Sequence, residues 1–319
     1  MPTASEMEDT LYHRTTLAAR LRVTGSDAAT FLQGQFSNDL RRAEPGPATY
    51  GLWLNHKGRA LAESHVLQLG ANEFEVVSLT SPADTIRVRL ESYVIADDVV
   101  VEDQTPGSAA LLIVGAGAGE AVRLLGMAVP AARCFAVAGD LTLIPARMAA
   151  ASSWCVFGPA ALIDDAAGKL TRHGARGVER AVLDRGRIAA GVPVVPDELG
   201  SDDLPMEGGL EHDAISFTKG CYLGQEVMAR LHNLGQVRRR LFIVTAEAGV
   251  GLPAKGTVLY AGSQKVGEIR AAVAAGTEGG AIGLAMLQTH AVDSGTRLGL
   301  EPSGPASVRV ERRAEGRAP

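Results

Sequence analysis

Apolar positions along this chain keep two rhythms, and the rhythm changes partway. In "RLRVTGSDAATFLQGQFSNDL", apolar and polar residues alternate over Leu21 to Thr24, the period of a half-buried strand. Gly25 breaks the run, and Ser26 or Asp27 stands where a helix cap belongs. The helix that follows carries Ala28, Phe31 and Leu32 on one face. "YGLWLNHKGRALAESHVLQL" reads as two strands joined by a turn at Lys57-Gly58. "FEVVSLTSPADTIRVRLESYVIADDVVVED" and "WCVFGPAALIDDAAGKLTRHGA" each read as a strand, a start signal and an amphipathic helix. "ALLIVGAGAGEAVRLLG" between them reads as strand then helix. Strands alternating with single helices predict split β-α-β, ferredoxin-like packing.

From about Arg238 the pattern shortens. "RRRLFIVTAEAGVGLPAKGTVLYAGSQKVGEIRAAVAA" is a series of short strands broken by Gly and Pro, with no long helix. That is the pattern of a small antiparallel barrel or sandwich. The tail "ERRAEGRAP" has no apolar period and is expected to fray.

Composition narrows the class. At 319 residues with 46% hydrophobic and 21% charged, the chain can bury a substantial core in two or three domains. A net charge of -5 argues against a surface that grips nucleic acid throughout. Aromatic content of 4% leaves few stacking platforms for single strands, so no nucleic-acid binding is expected. No stretch approaches the ~18 unbroken apolar residues of a membrane span, and the N-terminal residues carry neither a secretory nor a transit pattern. Cys134, Cys155 and Cys221 are 3 cysteines without CxxC spacing, which fits a reducing compartment; a cytoplasmic location is expected. The 7 histidines are scattered with no HExxH pair, and no bound metal is expected in the isolated chain. In "VGAGAGE" the third glycine falls one place early for a dinucleotide loop. Glu120 would repel pyrophosphate there, so a tight strand-to-helix turn explains the glycines.

One stretch carries chemistry: "FTKGCYLGQEVMAR", Phe217 to Arg230. Gly220 and Gly224 bracket Cys221, and Gln225 to Leu231 reads as helix. A thiol just ahead of a helix N-terminus, with Lys219 beside it, is expected to favour the thiolate. A buried structural cysteine is the alternative. Cys134 and Cys155 are expected in apolar strands and read as inert packing residues. Glu226 and Arg230, acid first at i, i+4, are expected to pair across the helix surface. "NHKGR", Asn55 to Arg59, reads as a solvated turn unless it faces another site.

Lys219-Gly220-Cys221-Tyr222 followed by Gly224-Gln225-Glu226 resembles the K-G-C-Y-x-G-Q-E motif of the YgfZ family of folate-binding proteins, relatives in fold of the glycine cleavage T-protein, an aminomethyltransferase. "RLRVTGSDAATFLQGQFSND", "LNHKGR", "RGRIAAGVPVV" and "KVGEIRAAV" resemble further segments of that family in the same order. The resemblance implies a T-protein-like α+β fold: a three-lobed ring with two interleaved ferredoxin-like lobes over residues 1–236 and a C-terminal antiparallel β-barrel over 237–312, then a frayed tail over 313–319. It implies a tetrahydrofolate-type ligand in a central channel and a role in assembly or repair of 4Fe–4S enzymes, including tRNA-modifying ones. The partners would be iron–sulfur proteins or their assembly machinery, and the chain is expected to be a monomer. Cys221 and Lys219 would carry the chemistry. Gly220, Tyr222, Gly224, Gln225, Glu226 and Arg230 would shape the motif. Lys57, Arg59, Arg187 and Glu207 would hold the folate.

Two positions depart from the T-protein pattern. Ala62 stands where those relatives carry an Asp, and Ala189 where an acid holds the pterin ring. Aminomethyl transfer needs a group that manages the proton on the folate nitrogen. An assembly factor is therefore the expected class, and a tetrahydrofolate-dependent aminomethyltransferase the alternative.

Overall fold

A computed structural model describes residues 9–41, 46–148, 152–235, 237–276 and 279–316. In chain order the first part is β1 (Leu11–Thr16), β2 (Ala19–Thr24), α1 (Ala28–Gln35), β3 (Ala48–Leu54), β4 (Ala60–Gly70), β5 (Glu73–Ser78), α2 (Ala83–Glu91) and β6 (Val100–Asp103). Next come β7 (Ser108–Val114), α3 (Ala118–Leu124), β8 (Ala136–Ala138), β9 (Leu141–Pro145), β10 (Ser153–Pro159), α4 (Ala160–Arg172) and β11 (Arg176–Gly177). Two helices, α5 (Arg180–Ala190) and α6 (Gln225–Leu234), flank a long connection with one 3₁₀ turn at Pro205–Gly208. The chain closes with β12 (Arg239–Ala246), β13 (Val258–Ala261), β14 (Gln264–Ala274), β15 (Ala281–Gln288), β16 (Arg297–Gly299) and β17 (Ala306–Arg313).

The strands form three bodies. The first lobe is a 5-stranded sheet in the order β3-β4-β5-β2-β6. Strands β5 and β6 both pair antiparallel with β2, so they run parallel to each other with β2 between them. That is the split β-α-β unit, with α2 as its crossover. The second lobe is a 6-stranded sheet, β11-β1-β7-β10-β9-β8. Its β1 comes from the N-terminus, ahead of every first-lobe strand, so the two lobes are interleaved in sequence. The third body is a closed barrel, β12-β15-β14-β13-β16-β17.

Local signals match these elements with two differences. Asp27 does stand at the α1 N-cap, but its carboxylate makes no cap bond and accepts the Asp98 N–H at 2.8 Å instead. Cys134 lies in a turn with one isolated bridge to Pro47 rather than in a strand. Gly115, in the glycine-rich turn, has φ 129°, and a Cβ there would sit 2.4 Å from the Asp9 carbonyl oxygen. Close backbone approach, not phosphate binding, accounts for it.

The tail expected to fray from residue 313 is docked as far as Gly316. Arg313 ends β17, the Ala314 N–H donates to the Leu241 carbonyl at 2.9 Å, and the Gly316 N–H donates to the Gly191 carbonyl at 3.1 Å. Residues 317–319 of that tail, like the N-terminal residues 1–8, lie outside the described residues. A junction core knits the bodies together: Leu52 and Leu54 of β3, Ile188 of α5, Tyr222, Met228 of α6, and Leu241 of β12 are all buried in one cluster.

Candidate functional site

The cysteine motif is a loop clamped from below by a buried cation. Helix α1 ends with carbonyls that have no intrahelical partner. Lys219, 6% exposed, donates from Nζ to the carbonyl oxygens of Gln33 (2.6 Å), Phe36 (2.7 Å) and Asn38 (2.8 Å). An ammonium at a helix C-terminus also meets the negative end of the dipole. Burial pulls the Lys219 amine down to about 8, with Asp39 acting in the opposite direction. Lys219 was expected to stabilise a Cys221 thiolate. Its three donors go to carbonyls instead, so it holds the loop in place.

Cys221 is exposed, while Cys134 and Cys155 are buried. Burial pushes the Cys155 thiol up to about 12, the behaviour of an inert packing residue. The helix starts at Gln225, as expected, and runs on to Leu234. Gly224 is the N-cap and Gln225 the first helical residue, so Cys221 precedes the cap by a turn of loop. The Tyr222 N–H donates to Gln225 Oε1 at 3.2 Å, and the Leu223 N–H to the Gly34 carbonyl at 3.1 Å. The Tyr222 ring is buried under the Lys219 ammonium at 5.1 Å, and its hydroxyl is buried without a hydrogen-bond partner. Burial alone pushes that phenol up. Gly220 faces open space: a Cβ there would approach only Arg41 Nη2, at 3.9 Å.

The turn "NHKGR" does face the motif. Gly224 has φ 85°, and a Cβ there would come within 2.9 Å of the Asn55 carbonyl oxygen and 3.1 Å of Gly58 Cα. Gly58 has φ 69°, and its Cβ would meet Met228 at 2.9 Å and Val227 at 3.0 Å. Asn55 Oδ1 accepts the N–H groups of Lys57 (2.9 Å) and Arg59 (3.0 Å), which fixes the turn. The two glycines interlock the β3–β4 turn with the start of α6. Glu226 and Arg230 form no ion pair with each other, in contrast to the i, i+4 expectation; both are exposed. Exposed pairs of this kind gain little over solvation.

The residues expected to hold folate do not converge on one cavity. Arg187 is buried in a bidentate pair with Glu198, both bonds 2.8 Å, and also donates to the Val192 carbonyl (2.6 Å) and Asp184 (3.1 Å). Four of its five N–H groups are thus used within the protein. Glu207 accepts the Leu204 N–H at 2.7 Å and Arg239 Nε at 2.8 Å. Arg59 donates to the Asp202 carbonyl at 2.8 Å and lies 4.0 Å from Glu207. Asp203, 1% exposed, takes Arg239 at 2.9 Å and Arg270 at 3.1 Å. These groups lace the turn, the 3₁₀ segment and the barrel together. Lys57 is exposed. Of the Arg238–Arg240 run, Arg239 and Arg240 are paired with acids, Arg240 with Glu211 at 3.2 Å.

The cavity itself lies between the first and second lobes, about 450 Å³, with walls from Asn38, Tyr50, His65, Arg147, Trp154 and Asp213. Its neighbouring throat shares Tyr50, His65 and Arg147 and adds Glu63 and Thr80. Arg147 dominates the wall. Its guanidinium lies 3.9 Å from the centre of the Tyr50 ring, donates to Asp213 at 2.8 Å and to the Gly316 carbonyl, and keeps a buried Nε with no partner. Tyr50 donates to Glu63 at 2.6 Å, and Thr80 donates to the other Glu63 oxygen at 2.8 Å. Burial raises the Glu63 carboxyl above its usual range and outweighs those bonds. Burial, with Arg147 beside it, pulls His65 down to about 3, so the imidazole stays neutral. Sequence reasoning named none of these six wall residues as site residues. Ala62 sits in the first-lobe core, and its neighbour Glu63 is the carboxylate of the throat. Ala189 is exposed. The cavity and the cysteine loop meet at Asn38: its carbonyl accepts Lys219, and its Nδ2 donates to the Tyr50 and Asp213 carbonyls, each at 2.8 Å.

Lobes and barrel together define an aminomethyltransferase-type fold. The glycine cleavage system aminomethyltransferase T of Bartonella henselae superposes with a TM-score of 0.82 at 16% identity, covering 99% of this chain and 88% of that one. The GCVT N-terminal domain matches residues 13–146, and the CAF17 C-terminal beta-barrel domain matches residues 238–315. The human iron-sulfur cluster assembly factor IBA57, mitochondrial, is 30% identical over 92% of this chain and 79% of its own length. The tRNA-modifying protein YgfZ of Yersinia pestis is 25% identical over 75% of this chain and 71% of its own. The chain belongs to the family of the iron–sulfur cluster assembly factor IBA57. No helix among the described residues is long and apolar enough to cross a membrane.

Proposed function

We propose that this protein supports assembly or repair of iron–sulfur clusters in 4Fe–4S enzymes, tRNA-modifying ones among them, through Cys221, with a folate derivative in the cavity between the lobes. The observation that carries the reading is that Cys221 alone of the three thiols is exposed, in a loop held by a buried lysine and two interlocked glycines. The relative named as an assembly factor supports the iron–sulfur context. Among the described residues no group of three His, Cys, Asp or Glu side chains is placed to hold a metal. A cluster handled here is therefore cargo, with its other ligands from a client or an assembly partner. All three cysteines are unpaired, which supports a reducing compartment, and the cytoplasm is our reading.

The cavity suits a folate by chemistry. Its 450 Å³ is in the usual range for small-molecule sites, about 300–1,000 Å³. Trp154 offers an aromatic face, and Arg147 an unused buried donor for an anionic group. Complementation tests the site. In cells lacking their own family member, wild type and Cys134→Ala are expected to restore iron–sulfur enzyme activity and Cys221→Ala to fail. Equal rescue by both variants would sink the assignment. Titration with tetrahydrofolate tests the cavity, and Arg147→Met is expected to weaken binding.

A tetrahydrofolate-dependent aminomethyltransferase is the second reading. It is favoured by Glu63, a buried carboxyl at the throat whose raised pKa suits proton transfer. Turnover of an aminomethyl donor protein with tetrahydrofolate would establish it.

A further inference from the structure

The segment after the barrel does more than end the chain. Ala314 is buried in the junction core, and Gly316 is buried beyond it. Between them Glu315 crosses the Gly209 turn: with φ 75° at Gly209, a Cβ there would stand 2.6 Å from the Glu315 carbonyl carbon. Gly316, φ 65°, makes the reciprocal approach, 2.6 Å from the Gly209 carbonyl carbon. Two left-handed glycines thus let two backbones cross in contact. Past this crossing, the Gly316 carbonyl accepts Arg147 Nη2 while its N–H holds the Gly191 carbonyl.

Three fixed groups orient the Arg147 guanidinium: Asp213 on Nη1, Gly316 on Nη2, and the Tyr50 ring against its face. These bonds use two of the five N–H groups, Nε is the nitrogen left with no partner, and Arg147 lines the cavity. Asp213 alone would let the planar group pivot about a single bond. The Gly316 carbonyl supplies a second anchor, and the pair sets the plane.

We propose that the segment Ala314–Gly316 is a strap that positions Arg147 as the anchor for an anionic group of the cavity ligand. The strap rests on the reading of the cavity as a ligand site, and the test separates the two. Three proteins are compared: the full chain, a chain ending at Gly316, and a chain ending at Glu315, which keeps Ala314 in its core. Gly209→Ala in the full chain displaces the strap without deleting it. The first readout is the rate at which phenylglyoxal modifies Arg147, followed by peptide mass, with Arg187 as internal control. The second is tetrahydrofolate affinity.

The chain ending at Gly316 is expected to match the full chain in both. The chain ending at Glu315 and Gly209→Ala are expected to expose Arg147 to faster modification while Arg187, held by Glu198, stays protected. Both are expected to bind tetrahydrofolate about tenfold or more weakly, the loss that goes with one hydrogen bond to a charged group. Unchanged Arg147 modification in both variants overturns the proposal, as does equal acceleration at Arg187, which means general loosening. If the full chain itself does not bind tetrahydrofolate, the folate reading fails, and the Arg147 rates still decide the strap.

Discussion

The cysteine loop and the cavity between the lobes are each organised around one cation, and the two cations are used in opposite ways. Lys219 spends all its donors on the carbonyls at the end of α1, and Cys221, on the loop it clamps, stands out in solvent. Arg147 is held by Asp213, Gly316 and Tyr50 and keeps a buried Nε without a partner. The satisfied Lys219 is scaffolding, whereas Arg147, on the cavity wall with an unpartnered nitrogen, is where we propose the ligand binds. The difference teaches that charge alone does not mark a functional residue; the accounting of its donors does.

That contrast can be broken experimentally. The largest effect is expected at the loop. Lys219→Met removes three hydrogen bonds from a buried charged donor and leaves helix-end carbonyls unpaired, which should cost ~3–5 kcal/mol in denaturant unfolding. A loss below about 1 kcal/mol would mean that the clamp is dispensable. Gly224→Ala comes next. It places a side chain at φ 85° against Asn55 and Gly58, and should cost ~2–3 kcal/mol while disturbing the turn at Lys57. At the cavity, His65 separates the two regions by pH. Its folded-state pKa is about 3 against an ordinary 6.5. Between those values the unfolded chain takes up a proton that the folded chain does not, so stability is lost as pH falls from 6.5 toward 3. His65→Gln should flatten that slope in acid unfolding curves, and an unchanged slope would place the acid sensitivity elsewhere. The smallest effects belong to the exposed and orphaned groups. Cys221→Ala should shift stability by less than ~0.5 kcal/mol while abolishing rescue. Tyr222→Phe removes a buried hydroxyl without a partner and should be neutral or stabilising by up to ~1 kcal/mol.

The cysteine loop was legible because its parts are contiguous. Spacing alone placed Gly224 at a helix start and singled Cys221 out from Cys134 and Cys155. The barrel was legible from its short Gly-broken strands, and the split β-α-β unit from the alternation of elements. The cavity was not legible, because Tyr50, His65, Arg147 and Asp213 come from separate elements and share no spacing. Arg187 illustrates the converse. Beside a family-like segment it reads as a free cation, but Glu198, eleven residues on, takes both its terminal nitrogens. Partners across a loop cannot be read from local pattern. The docked tail was hidden for a related reason: "ERRAEGRAP" has no apolar period because backbone atoms and glycines, not side chains, make most of its contacts.

The acid–arginine lacing around Asp203 bears on how the molecule can be divided. Asp203 and Glu207 belong to the long connection, and Arg239 and Arg270 belong to the barrel. Severing the chain ahead of β12 would leave two arginines on the excised barrel without their acids and strand a nearly inaccessible carboxylate in the remainder. Buried charge left without its counterion destabilises strongly. The barrel is thus not a portable cassette, and chimaeras that exchange it between relatives would have to carry the 198–207 connection along with it.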